Sequence, residues 1–236
     1  MSELVLVRHG KASFGSDSYD KLSDTGREQV RLLAKHWADL GESFDHLYSG
    51  TLRRQQETAA ELRSLLANPQ QQISTEPAFN EYEGEALIAS YLRDHAGAEG
   101  YQPGLSLPIA EERLYQRVFE AATAKWLSGE LNPAESDHGF EHWTDFQSRV
   151  FTAIDTLMAR HQKGSRVLIA TSGGVIALTL QRVLGFADHQ AIATNWMVHN
   201  SSVSRIRYGN GKVSLTLFNS VAHLEKPELR QLVTFR

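Results

Sequence analysis

The 236-residue sequence contains no cysteine, which excludes a disulfide framework, thiolate metal sites and a cysteine nucleophile. No apolar run approaches the roughly 18 residues that a membrane-spanning helix needs. The run Leu4-Val5-Leu6-Val7 is short, and Met1-Ser2-Glu3 ahead of it offers no basic leader, so the expectation is a cytoplasmic chain without a membrane partner. Excess positive charge is missing too, with 24 Lys and Arg against 28 Asp and Glu and a formal net charge of -4. A general nucleic-acid binder needs a strongly basic surface, so nucleic acid is not an expected partner. What is present is an ordinary globular composition, 41% apolar and 22% charged, long enough for one domain with a sizeable core.

Periodicity then divides the chain. Leu4 to Val7 and Val167-Leu168-Ile169-Ala170 are continuous apolar runs of the kind found in strands buried on both faces. His46 to Ser49 and Ile73 to Thr75 read as shorter strands. Val30, Leu33, Trp37 and Leu40 recur at helical spacing from about Thr25 to Leu40, with Ser23 or Asp24 as N-cap and Gly41 just past the end. Further helices are predicted near Leu52 to Leu66, Trp143 to His161 and Val175 to Leu184. Ser201 to Tyr208 and Lys212 to Phe218 form a terminal pair around Gly209-Asn210-Gly211, a hairpin-type turn. Between about 84 and 140, Pro103, Pro108 and Pro133 with Gly97, Gly100 and Gly104 break up helical pieces such as Glu111 to Leu127. That stretch reads as an insertion or lid within a single domain spanning 1–236. Strands alternating with helices predict an α/β fold, a three-layer α/β/α sandwich on a mostly parallel sheet, with the helical insertion over the strand carboxyl ends.

In such sheets ligands bind outside the carboxyl ends of the strands. Three turns fall there: Arg8-His9-Gly10, Ser49 to Arg54, and Thr171-Ser172-Gly173-Gly174. Each alone has an ordinary structural explanation. Together they bring arginines, an imidazole, a hydroxyl and a glycine-rich helix start to one edge, a site for a compact anion. A phosphoryl group fits, because guanidinium presents planar donor forks that match its oxygens. His9 is the candidate nucleophile, its imidazolium disfavoured by Arg8 and Arg54 against an ordinary value of about 6.5. A leaving alkoxide needs a proton, and the acidic run Glu81-Tyr82-Glu83-Gly84-Glu85 offers carboxyl groups for it.

Several segments, in order, resemble the histidine phosphatase superfamily of phosphoglycerate-mutase-like proteins. Leu6-Val7-Arg8-His9-Gly10 is similar to the signature of the phosphorylated histidine. The segment Leu22 to Gln29 resembles the L-[ST]-x-x-G-x-x-Q helix start, and Tyr48 to Ala59 the S-x-L-x-R-A-x-x-T-A segment, whose register selects Arg54 over Arg53. Phe79-Asn80-Glu81 is similar to the L-x-E segment, Glu141 to Val150 weakly to G-E-S…R-V, and Asn219 to Leu224 to the terminal H-L segment. The resemblance implies a phosphatase acting through a phosphohistidine on His9. Arg8, Arg54, Ser172 and Gly173 would bind the phosphoryl group, Glu81 would serve as acid and then base, and neither metal nor organic cofactor is required.

One departure stands out. The family's V-x-V-x-H-G-G carries a second histidine, and Ser172 occupies its place. A neutral hydroxyl donates a hydrogen bond of about 1 kcal/mol where a charged donor gives roughly 1.5–3. Gly15 stands where mutase-type members often carry asparagine. The thinner pocket favours a phosphatase over a mutase, which must shield its phosphoenzyme from water. It also raises the alternative of a weak or inactive pseudophosphatase that binds a phosphorylated ligand. A third reading is a serine hydrolase on Ser172 with Asp188 and His199 or His223, which leaves the arginines unexplained. Both histidines otherwise read as structural. Expected partners are a small phosphoester or a phosphoprotein, with specificity set by the 84–140 stretch and residues such as Trp126.

Overall fold

The computed structural model describes residues 1–13, 20–94, 105–107, 109, 111–133, 139–162 and 164–235. Gly15, and the prolines and glycines expected to break the chain at 97, 100, 103, 104 and 108, lie outside these residues. The chain forms two compact units, residues 1–81 with 150–236, and residues 82–149.

The first unit is built on β1 (Ser2–Arg8), β2 (His46–Ser49), β3 (Ser74–Thr75), β4 (Arg166–Thr171), β5 (Val203–Gly209) and β6 (Lys212–Ser220). Their order across the sheet is β3-β2-β4-β1-β5-β6. The pairs β3–β2, β2–β4 and β4–β1 are parallel, whereas β5 and β6 add an antiparallel edge. The mixed α/β class and mostly parallel sheet expected from the alternating pattern are present. Leu4 to Val7 and Val167 to Ala170 are buried at every position, which is why these strands carry no polar alternation. Val5, Val7, Leu47, Leu168 and Ala170 share one face with Val30, Leu33 and Trp37 of α1 (Asp24–Asp39) and Ala59 and Leu62 of α2 (Arg53–Leu62). The pleat sends Leu4, Leu6 and Ile169 to the other face, where α6 (Gly173–Leu184) packs against β1. Among the described residues no helix is long and apolar enough to cross a membrane.

Helix boundaries follow local chemistry. Ser23 caps α1 by accepting the Gly26 N–H at 3.1 Å, while its own hydroxyl donates to the Lys11 carbonyl. Gly41, at φ +69°, ends the helix in the left-handed conformation. The helix predicted from Leu52 to Leu66 stops at Leu62 and continues as a 3₁₀ turn over Arg63–Leu65. Asn210 and Gly211, both at positive φ, make the two-residue hairpin loop between β5 and β6. A helix not predicted from the sequence, α7 (Asp188–Met197), follows α6.

The second unit carries α3 (Gly84–Asp94), α4 (Glu112–Leu127) and the first residues of α5 (Trp143–Arg160). Its centre is aromatic. The Tyr82 ring lies 4.9 Å from Trp126 and 5.4 Å from Phe146, and Trp126 lies 5.1 Å from Trp143. Trp126 was expected as a ligand contact but is core: it is buried, and its indole N–H donates to the Glu141 carbonyl at 2.8 Å. The Glu141 carboxylate pairs with Arg149, whose guanidinium stands 4.9 Å over the Phe146 ring.

A second buried device holds the turn that follows α7. Ser201 adopts a left-handed φ of +57°, and its hydroxyl is 2.9 Å from Nε2 of His223; both residues are buried. From that turn the Ser201 N–H donates to the carbonyls of Arg8 and His9 at 3.1 and 3.3 Å. Burial, with a smaller contribution from His36, lowers the His223 pKa from 6.5 to about 4. Because the folded value lies below the unfolded one, protonation favours the unfolded chain. The stability this imidazole gives is complete above pH 6.5 and is lost as pH falls towards 4, a span equivalent to about 3 kcal/mol. Thermal unfolding between pH 7 and 4 is therefore expected to show a falling midpoint in the wild type and a shallower fall in His223→Gln. Equal slopes in the two proteins would contradict the assignment.

Candidate active site

His9 leaves the carboxyl end of β1, and its N–H donates to the Thr171 carbonyl at the end of neighbouring β4, 2.8 Å away. The side chain is buried. Its Nδ1 lies 2.8 Å from the Gly10 carbonyl oxygen, which can only accept, so Nδ1 carries the proton and Nε2 carries a lone pair. Nε2 receives the Nε–H of Arg54 at 3.3 Å. Burial first, then the charges of Arg54 and Arg8, hold the His9 pKa well below 6.5, against a smaller opposing effect of the Gly10 carbonyl. The sequence named the two arginines as the cause; burial is the larger one.

The loop around His9 is fixed by residues of the motifs noted above. The Gly10 N–H donates to Thr58 Oγ1 at 3.3 Å, and the Lys11 N–H to Gln29 Oε1 at 2.9 Å. Gly10 and Gly26 meet backbone to backbone: a Cβ on Gly10 would stand 2.3 Å from the Gly26 carbonyl oxygen. Gln29, fully buried, also donates through Nε2 to the Leu232 carbonyl and to Thr234 Oγ1, tying the loop to the chain's last segment. Arg8 turns the same way: its Nη1 donates to the carbonyls of Val198 and, at 2.7 Å, Phe235.

Arg54 sits in the first turn of α2. Besides His9 it pairs with Asp20, Nη1 to Oδ1 at 2.6 Å, and Asp20 also accepts the Arg53 N–H at 2.7 Å. The arginine side chain is 12% exposed and the aspartate 40%. Of the two adjacent arginines, Arg54 is the one that meets His9, whereas Arg53 pairs with Glu57 on the helix surface.

The remaining expected residues gather at the start of α6. Ser172 is its N-cap residue and is fully buried. A Cβ on Gly173 would lie 2.2 Å from Asn195 Oδ1 and 3.3 Å from the Asn195 carbonyl oxygen, so a side chain there would displace the Asn195 side chain of α7. The Gly174 N–H donates to Glu81 Oε2 at 3.0 Å, a carboxylate placed where first-turn N–H groups lack helical acceptors. Ser172 Oγ accepts from Nε2 of Gln55, 2.8 Å away. Among the described residues it meets no imidazole, so the serine-hydrolase order is not assembled. Asp188 accepts from Gln181, His223 holds Ser201, and the His199 ring lies tilted against Phe235, 4.3 Å between centroids.

Sequence reasoning missed Asp20, Gln55, Gln29, Asn200 and Ser201. Gln29 and Gln55 lie inside motif segments noted above, but those motifs say nothing of the buried partner each one holds. Asp20, Asn200 and Ser201 act on partners far away in the chain and leave no local signal. Asn200 is an example, since its Nδ2 donates to the His9 carbonyl at 3.3 Å.

The chemistry available is that of a neutral, lone-pair-bearing imidazole beside a guanidinium, at one end of parallel strands and next to a helix N-terminus. Nitrogen-detected NMR of the imidazoles is expected to show His9 as the Nδ1-protonated tautomer at pH 7, still neutral below pH 6.5. Arg54→Gln should move its titration upward, and Arg8→Gln should do so less. An Nε2-protonated ring, or no movement in either variant, would contradict this electrostatic account.

The chain matches the family model described as histidine phosphatase superfamily (branch 1) over residues 4–90 and 109–221. It is 25% identical over 235 residues to phosphoglycerate mutase-like protein 4 of Arabidopsis thaliana, covering 95% of this chain and 88% of that one. It is 24% identical over 232 residues to a metal-independent phosphoserine phosphatase of the same plant, covering 95% and 84%. Among solved structures, the phosphoserine phosphatase of Entamoeba histolytica, in complex with phosphoserine, superposes with a TM-score of 0.64 at 17% identity, over 95% of this chain and all of that one. With a family model that spans most of its length, the chain belongs to the histidine phosphatase superfamily.

Proposed function

We propose that the protein hydrolyses small phosphomonoesters through a phosphohistidine on His9. The observation that carries this reading is the imidazole itself, with Nδ1–H held by the Gly10 carbonyl and a bare Nε2 turned to Arg54. In the first half-reaction Nε2 uses its lone pair to form a bond to phosphorus while the ester P–O bond breaks. Glu81 gives a proton to the departing alkoxide. Arg54 exchanges its contact with Nε2 for the phosphoryl oxygens, Arg8 adds positive charge beside them, and Ser172 and the Gly173 N–H donate to the same anion. In the second half-reaction the Glu81 carboxylate takes a proton from water, the water oxygen bonds to phosphorus, and the P–N bond breaks to release phosphate and neutral His9. No metal and no organic cofactor enters either step.

The names of the relatives suggest phosphoserine and phosphoglycerates as the first substrates to try, and a panel should extend to larger phosphoesters and phosphopeptides. A second reading, binding without turnover, is favoured by two observations. Ser172 stands in for an imidazole, and Arg54 already holds a carboxylate at 2.6 Å. One experiment separates the two. Wild type, His9→Ala and Glu81→Gln are assayed against a phosphoester panel, with and without a chelator, and the protein is isolated during turnover. The expected result is acid-labile, base-stable phosphate on the wild type, none on His9→Ala, and at least a ~100-fold slower rate in Glu81→Gln. Phosphate binding without turnover anywhere on the panel would establish the second reading. Undiminished hydrolysis by His9→Ala, or loss of activity with chelator, would overturn the first.

A further inference from the structure

We infer that Gln55 is the positioning residue that makes the Ser172 hydroxyl a phosphate donor, so that Gln55 and Ser172 act as one exchangeable pair in place of a single imidazole. Gln55 follows Arg54 in the first turn of α2 and is fully buried. Its Nε2 donates to two acceptors, the Phe79 carbonyl at 2.9 Å and Ser172 Oγ at 2.8 Å. The carbonyl settles which way the amide faces, because an oxygen turned towards it would find no proton. With both amide protons placed, Ser172 Oγ is an acceptor in this contact. Its own O–H has no acceptor among the described residues, which leaves that proton to donate to an anion at the start of α6. The amide oxygen Oε1 is buried without a hydrogen bond, against Gly50, where a Cβ would stand 1.9 Å away. A buried orphan acceptor costs free energy, so this orientation is retained for what the nitrogen does.

The same amide spans three segments of the site. It is covalently next to Arg54, it reaches Phe79 two residues before Glu81, and it reaches Ser172 two residues before the Gly174 N–H that Glu81 accepts. It also fills the space an imidazole at 172 would need. In the Ser172 rotamer, Cγ of a histidine takes the place of Oγ, 2.8 Å from Nε2, with ring atoms still beyond it. Restoring the histidine alone therefore overpacks the site, whereas removing Gln55 at the same time makes room.

The inference rests on the proposed phosphatase reading, and three variants test it. Gln55→Met keeps the shape and removes the donors. Phe79 still accepts from Thr171 Oγ1 at 2.7 Å, so the thermal midpoint should stay close to wild type. Turnover should fall about tenfold with less than a ~3-fold change in KM, the mark of a bond that strengthens in the transition state. Ser172→His should fall at least ~10-fold, and Gln55→Ala/Ser172→His should recover wild-type turnover or exceed it, a coupling of tenfold or more. The inference is overturned if Ser172→His alone does as well as the pair, or if Gln55→Met turns over like the wild type. Calorimetric affinity for inorganic phosphate, taken on the same four proteins, separates the two levels. If no phosphoester is hydrolysed but affinity follows the expected order, the phosphatase reading fails and the pairing stands. If the wild type binds no phosphate, both fail.

Discussion

The site depends on one imidazole that is held neutral rather than left to titrate. Near pH 7 an ordinary histidine is partly protonated, and a protonated ring has no lone pair to offer. Three features oppose protonation of His9, in decreasing weight: burial, the Arg54 charge and the Arg8 charge. The Gly10 carbonyl acts in the other direction on pKa but fixes the tautomer, so the nitrogen left bare is the one facing Arg54. Position of the ring therefore matters as much as its charge. That position comes from the loop, through the Thr171 carbonyl, Thr58, Gln29, Asn200 and Ser201. A good part of the conserved-looking motif spacing is scaffolding for this loop rather than chemistry.

The helix start at α6 supplies the complementary half. Its first-turn N–H groups form a fixed patch of partial positive charge, and Glu81 already occupies one of them through Gly174. A carboxylate at that terminus and an anion bound a few ångströms away share the same field. The arrangement therefore holds a carboxylate at the N-terminus of α6 without a charged side chain from that helix. This helps to explain why a neutral Ser172 can stand at the N-cap: the backbone dipoles that favour an anion do not depend on that side chain.

The sequence showed its elements unevenly, for physical reasons. β1, β4 and α6 were legible because burial on both faces leaves an uninterrupted apolar run, and α1 because Val30, Leu33 and Trp37 recur at helical spacing behind the Ser23 cap. Helix α7 was not, since only Ala191 and Ile192 of its residues are buried and its N-cap, Ala187, offers no capping side chain. In the 84–140 stretch the prolines and glycines drew attention away from α3, whose Leu87, Ile88, Tyr91 and Leu92 are buried at helical spacing. Of the site, His9, Arg54, Ser172, Gly173 and Glu81 were legible through turns at strand ends and through family resemblance. Gln55 was not, because its partner lies 117 positions away, and Asp20 was not, because an acid in a polar loop looks like any other. Residues that act through a distant partner are invisible to local pattern, and they are the ones that orient those that can be seen.

Asp20 shows what such a partner does for an anion site before its ligand arrives. A guanidinium as buried as that of Arg54, left unpaired next to a neutral imidazole, would carry a desolvation cost of several kcal/mol. The carboxylate offsets that cost, and because it is 40% exposed it can return to water with little loss. On the proposed function, an incoming phosphoryl group, with more charge and three oxygens, would exchange with a resident carboxylate rather than enter a field of bare positive charge. Affinity is set by the difference between two anions, not by the full attraction of one. That difference would favour a ligand that also reaches the Ser172 hydroxyl and the α6 N-terminus, neither of which Asp20, held to Arg54 and the Arg53 N–H, engages among the described residues. On that reading, selectivity for a tetrahedral oxyanion over a simple carboxylate would rest on groups from α2 and α6 together.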